Sequence, residues 1–142
     1  MMESEPIELP AGYRPSEDEP FMSERQKEYF RLKLIAWKED ILRESKSTLS
    51  NLQADQGALP DIADRASTET DRSLELRARD RQRKLISKID SALRRIEEDA
   101  YGYCEATGEP ISLARLDARP VATLSLEAQE RHERKERVHR DD

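Results

Sequence analysis

Two long stretches of this sequence repeat their apolar residues at helical intervals, and a helix-breaking segment separates them. Phe30, Leu34, Trp37, Ile41, Thr48 and Leu52 are spaced by 4, 3, 4, 7 and 4 residues, and Leu74, Ala78, Leu85, Ile89, Ala92 and Ile96 by 4, 7, 4, 3 and 4. Such spacing describes helices with one narrow apolar seam and excludes alternating strands. Between them lies Gln56-Gly57-Ala58-Leu59-Pro60, where glycine and proline both stop a helix. Two helices of similar length joined by a short breaker fold back as an antiparallel hairpin. At about 1.5 Å per residue, Phe30 to Leu52 alone spans at least ~33 Å. A rod of that kind has little interior, so its use is reach.

Composition agrees with a seam in place of a sphere. Of the 142 residues, 39% are charged, 35% are apolar and 5% are aromatic, too little apolar material for an ordinary enzyme with a deep pocket. The net charge of −6 argues against broad nucleic-acid binding. One cysteine forbids an intrachain disulfide, and no apolar run of membrane-spanning length is present. A soluble, cytoplasmic protein is expected. Charge is uneven along the arm: residues 77–95 hold eight basic residues and two acids, whereas residues 54–75 hold six acids and two arginines. The simplest account of that pattern is solubility and helix pairing.

The expected organisation is a mainly α chain in three parts. Residues 1–22 form an acidic, proline-bearing leader with little to bury, expected to be flexible. Residues 23–100 form the coiled-coil hairpin, with Ser23 as N-cap and the tip near 55–66. Residues 101–142 form a small globular end and a C-terminal helix opened by Ser125; Gly102 is expected to close the second long helix. The small apolar set there is Ile111, Leu113, Leu116, Val121 and Leu124.

Two constellations carry possible chemistry. At the hairpin turn, Asp61 and Asp64 stand three apart, on one face if helical, where they can approach a divalent metal or a partner's basic groups. Asp61 taken alone is better explained as an N-cap at the positive end of the second helix; Asp64 has no such easy explanation. In the globular end, Cys104, Thr107, Ser125 and Ala128 follow the spacing of two zinc knuckles, Cys-x2-Thr-x17-Ser-x2-Ala. Four thiolates at these positions would bind zinc; one thiolate, two hydroxyls and a methyl do not. No bound metal is expected, and packing must replace the roughly 10–16 kcal/mol of a structural zinc. A redox role for Cys104 is disfavoured, since no resolving thiol exists and no neighbour visibly lowers its pKa.

The run Leu74-Glu75-Leu76-Arg77-x-Arg79-Asp80-Arg81, then Arg83-Lys84-Leu85-Ile86-x-Lys88-Ile89, Tyr101-Gly102-Tyr103-Cys104-Glu105 and Arg115-Leu116-Asp117-Ala118-Arg119-Pro120 resembles the DksA/TraR family of bacterial transcription regulators. The likeness spans about residues 23–135 and points to the branch lacking most zinc cysteines: a hairpin with a degenerate zinc-finger-like end.

That resemblance implies a non-enzymatic protein that binds RNA polymerase, not DNA, and inserts its arm through the secondary channel. Asp61, Asp64 and Ala66 match the tip motif that acts near the polymerase active site, and Arg81 matches an arginine of polymerase contact. With the alarmone ppGpp, such proteins repress ribosomal RNA promoters and favour some amino-acid biosynthesis promoters; Leu85, Lys88 and Arg119 match the positions lining that effector's site. A lysine common in the family is Gln129 here, which removes one phosphate-pairing charge. A monomer without tightly bound cofactor or zinc is implied. The alternative is a Gre-type transcript-cleavage factor using the same route, but its tip carries an Asp-Glu pair that this sequence lacks.

Overall fold

The structure, a computed structural model, describes the backbone of residues 7–54 and 62–141 and the side chains of residues 7–47 and 66–138. Four helices follow in order: α1 (Glu24–Ala54), α2 (Ile62–Glu97), α3 (Leu113–Ala118) and α4 (Leu126–Asp141). Among the described residues the single extended pairing is an isolated antiparallel bridge between Tyr103 and Pro110. No helix among them is long and apolar enough to cross a membrane. The chain divides into two compact units, one from Met1–Leu34 with Ser91–Asp142 and the other Ile35–Asp90. Division by packing thus differs from division by sequence pattern, because the base of each long helix joins the globular end.

In the unit of residues 35–90, α1 and α2 pair antiparallel. Lys38 Nζ donates to Asp90 Oδ1 at 2.7 Å and Ser45 Oγ donates to Gln82 Oε1 at 2.8 Å, so position rises on one helix as it falls on the other. The seam is thin. Ile41 and Ile89 are buried, while Trp37, Ala78 and Leu85 are half-buried. Leu74, expected in the seam, is 55% exposed. Thr48 and Leu52 lie outside the described side chains.

The other unit holds most of the buried apolar surface. Phe30 and Leu34 of α1 and Ala92 and Ile96 of α2 are buried with Tyr101, Ile111, Leu116, Val121, Ala122 and Ala128. Each fully buried Leu, Ile or Phe contributes about 1.5–3 kcal/mol, which is how a chain with 39% charged residues sustains this unit.

Helix ends here follow local chemistry. Ser23 caps α1 by accepting the Gln26 N–H at 3.3 Å, and Gln26 answers by accepting the Met22 N–H at 2.8 Å. This is a displaced capping box, S-x-x-Q, with the return bond one residue early. Gln26 is fully buried and also donates to the Ser16 carbonyl at 3.0 Å. At the far end of α2 the stop is Asp99, not Gly102. Asp99 has φ +57; its N–H donates to Ile96 O at 3.2 Å and the Ala100 N–H to Arg95 O at 2.8 Å, the paired bonds of a Schellman motif. Aspartate tolerates that backbone better than most residues, and Lys27 binds its carboxylate at 2.7 Å.

The leader buries more than its sequence suggests. Tyr13 donates its hydroxyl to Glu19 Oε2 at 2.7 Å and packs edge-on against Tyr29, 6.1 Å between centroids. Phe21 does the same against Tyr103 at 5.4 Å. Burial and the Glu19 carboxylate push the Tyr13 phenol up to about 12.

Candidate functional site

The two expected working regions, the hairpin turn and the globular end, fall in different units. In the helix-pair unit, Asp61 and the turn around it lie outside the described residues. Asp64 belongs to the first turn of α2, which starts at Ile62; its side chain is not described. Ala66, one turn on, is exposed, as are Arg81 and Lys88. Leu85 is half-buried, in keeping with a seam position. Asp80 and Lys84 lie 3.4 Å apart on the exposed face, a surface pair worth little in water. The arrangement offers a partner free cations on α2 and a small residue near the turn.

In the other unit, α3 and the flanking loops hold Arg119. Ser112 caps α3, accepting the Arg115 N–H at 3.2 Å. Arg119 is the C-cap: its N–H donates to Arg115 O at 2.8 Å, and its side chain is exposed. Arg115 Nε donates to Leu124 O at 2.9 Å, and the buried Tyr101 hydroxyl donates to Pro120 O at 2.7 Å. Asp117 is held from α1, with Tyr29 Oη donating to its Oδ1 at 2.5 Å and Lys33 Nζ to its Oδ1 and its carbonyl, both at 2.6 Å. Lys33 first, then Tyr29, holds the Asp117 carboxyl below its usual range. Burial, then Asp117, pushes the Tyr29 phenol up.

Cys104 sits at the start of a knuckle-shaped turn. The Gly108 N–H donates to Cys104 O and the Cys104 N–H to Glu109 O, both at 2.8 Å. Gly108 supplies the turn's φ of +74, a conformation glycine adopts without Cβ strain. The sulfur accepts the Ser125 N–H at 3.3 Å, and Ser125 Oγ lies 3.7 Å from it. Ser125 Oγ in turn accepts the Ala128 N–H at 3.2 Å, capping α4.

Two family descriptions match this chain. Residues 26–96 match "DnaK suppressor protein DksA, N-terminal domain" and residues 100–134 match "Prokaryotic dksA/traR C4-type zinc finger". The chain belongs to the DksA family. It is 74% identical over 132 residues, 93% of each chain, to the RNA polymerase-binding transcription factor DksA of Caulobacter vibrioides. Identity to the protein of that name from Escherichia coli K12 is 42% over 120 residues, 82% of this chain and 80% of the relative. Among solved structures, transcription factor DksA2 from Pseudomonas aeruginosa superposes with a TM-score of 0.76 at 41% identity, covering 82% of this chain and 90% of that one. The DksA fold, a long helix hairpin with a zinc-finger-type end, is therefore the fold of this chain.

The zinc that a C4-type finger implies does not fit the residues present. Of the four ligand positions, Cys104 supplies one thiol, which already accepts the Ser125 N–H. Thr107 Oγ1 accepts the Glu109 N–H at 3.2 Å, Ser125 Oγ is committed to its cap, and Ala128 offers a buried methyl. A hydroxyl and a methyl do not replace soft, anionic sulfur for this ion. The geometry shows what stands in its place. Helix capping and a short N–H to sulfur bond tie the two knuckles, and Glu105 N–H to Thr123 O at 2.8 Å joins them again.

The Cys104 thiol departs from the sequence reading, which saw no neighbour to lower its pKa. Burial raises it, but the Thr107 hydroxyl, the Ser125 and Thr107 N–H groups and the Ser125 hydroxyl outweigh burial and bring it to about 6. The partners lie 3 and 21 residues away, so only the second knuckle's return makes the effect visible. Gln129 is half-buried and donates to Glu133 Oε1 at 3.1 Å along α4. Sequence reasoning also missed Tyr29, Lys33 and Gln26. For Gln26 a signal existed in Ser23-x-x-Gln26; for Tyr29 and Lys33 none did, since their partner lies more than 80 residues away.

Proposed function

We propose that this chain is a transcription regulator that binds RNA polymerase through the secondary channel and, with ppGpp, shifts the stability of initiation complexes without catalysing a reaction. One observation carries the reading: 74% identity across 93% of both chains to a relative named as an RNA polymerase-binding transcription factor. The antiparallel α1–α2 pair supports it physically, because a helix pair enters a channel too narrow for a globular domain. Asp61, Asp64 and Ala66 act at the polymerase active centre, where acids suit magnesium and basic side chains; a tip that gripped DNA would be basic. Arg81 contacts polymerase. Leu85, Lys88 and Arg119 contact ppGpp, the two cations pairing with its phosphates. Gln129 adds no charge there, so the response to ppGpp is weaker than a lysine would give. The chain acts as a monomer in the cytoplasm, without zinc and without gripping DNA itself.

The regulator works by differential affinity for initiation intermediates, since a ligand shifts an equilibrium only by the difference in its affinities for the two states. Transcription in vitro from a ribosomal RNA promoter, with and without ppGpp, tests this. Wild type represses, more so with ppGpp; Asp64→Asn keeps polymerase binding and loses repression. Repression undiminished in Asp64→Asn would refute the assigned tip role. Robust shortening of nascent RNA in stalled complexes would instead identify a Gre-type cleavage factor.

A further inference from the structure

The contact between α1 and α3 assigns a role to two residues that neither the motif pattern nor the family resemblance singled out. α3 is six residues long, too short to hold its own geometry, and its last turn leaves carbonyls without intrahelical donors. One of them, Asp117 O, is capped from outside by Lys33 Nζ at 2.6 Å. The same ammonium binds the Asp117 carboxylate, and Tyr29 adds a third bond to that carboxylate. A cation at a helix C-terminus is favourable on dipole grounds as well. Two residues further on stands Arg119, whose carbonyl accepts the Ala122 N–H at 3.0 Å and whose neighbour Pro120 is tied down by Tyr101. The backbone that carries the Arg119 guanidinium is thus clamped on both sides. The downstream clamp lies within residues 101–122, whereas the upstream one is supplied by α1.

We propose that Tyr29 and Lys33 are positioning residues for Arg119, fixing the α3 C-terminus and so the backbone from which the Arg119 side chain reaches a polyphosphate effector. The inference rests on the effector reading of Arg119 given above. Lys33 is not itself an effector ligand: its ammonium is held by both the carbonyl and the carboxylate of Asp117, each at 2.6 Å. A held backbone matters because ordering a loose segment at binding subtracts from affinity.

The test uses the full chain with polymerase in the promoter assay, titrating ppGpp. Lys33→Met and Tyr29→Phe are compared with Lys33→Arg, which keeps the cation, and with Arg119→Ala. Lys33→Met is expected to raise the ppGpp concentration for half-maximal response by about fivefold or more, the scale of a typical coupling between sites. Its effector-free repression stays at the wild-type level. Tyr29→Phe shifts it less, and Lys33→Arg restores most of the response. If Arg119→Ala abolishes the response while Lys33→Met and Tyr29→Phe match wild type, the positioning role is refuted and the effector reading survives. If Arg119→Ala responds like wild type, the effector reading fails and takes this inference with it. A loss in Lys33→Met that is equal with and without ppGpp, or that Lys33→Arg does not restore, reduces the contact to general stability and overturns the proposal.

Discussion

Gly102 is the position where one added methyl group tests the packing of the leader against the compact unit. Its φ is +92, and a Cβ placed on it would lie 3.1 Å from both Met22 Cε and Phe21 Cζ. Gly102→Ala therefore meets two penalties. Holding an L-residue in left-handed backbone costs about 1–2 kcal/mol. Forcing a methyl into an occupied site costs roughly 1–3 kcal/mol, at the lower end here because the Met22 methyl terminates a flexible side chain. Gly108 supplies the internal control: its φ is +74 and nothing lies within 4 Å of an added Cβ, so Gly108→Ala meets the backbone penalty alone. In urea unfolding, with a slope of about 2 kcal/mol/M, Gly102→Ala is expected to lower the midpoint by about 1–2 M, and Gly108→Ala by about 0.5–1 M. Cleavage after Phe21 by chymotrypsin should quicken in the first variant and not in the second, since only the first pushes Phe21 and Met22 away. Equal destabilisation by the two substitutions, with equal protease resistance, would refute the claim that residues 21 and 22 pack on Gly102.

Two further outcomes follow from buried polar groups. Tyr101→Phe strips the donor from Pro120 O without changing shape, and leaving a buried acceptor unmade is expected to cost about 1–3 kcal/mol in the same urea assay; a loss under about 0.5 kcal/mol would show that the bond contributes little. For Cys104, the ultraviolet absorbance of the thiolate should titrate near 6 instead of near the ordinary 9.0, and the signal should vanish in Cys104→Ala. The folded pKa is depressed, so the stabilisation is fully present above pH 9, shrinks as pH falls and is gone below about 6. Relative to Cys104→Ala, wild type should lose stability across that window. A titration near 9 would remove the basis for the hydrogen-bonded thiolate.

The sequence by itself determined what depends on neighbours three to seven residues apart. The seam from Phe30 to Ile41 and from Leu85 to Ile96, the Ser23 and Ser125 caps and the helix hairpin were legible because helical periodicity and capping are local. Donor chemistry is likewise a property of residue type: Thr107, Ser125 and Ala128 are not thiols wherever they lie. Leu74 shows the limit of periodicity, which marks a face but not whether another helix covers it.

Tertiary structure decided what depends on residues brought together from far along the chain. Asp99 ends α2 in place of Gly102 because a left-handed aspartate is anchored by Lys27, 72 residues away. The leader gains substance only when Tyr13 meets Tyr29 and Phe21 meets Tyr103. The Cys104 thiol is acidified by Ser125, and α3 is clamped by Lys33. No local pattern encodes these pairings, because each bond's strength depends on distance and desolvation that exist only after the compact unit has closed.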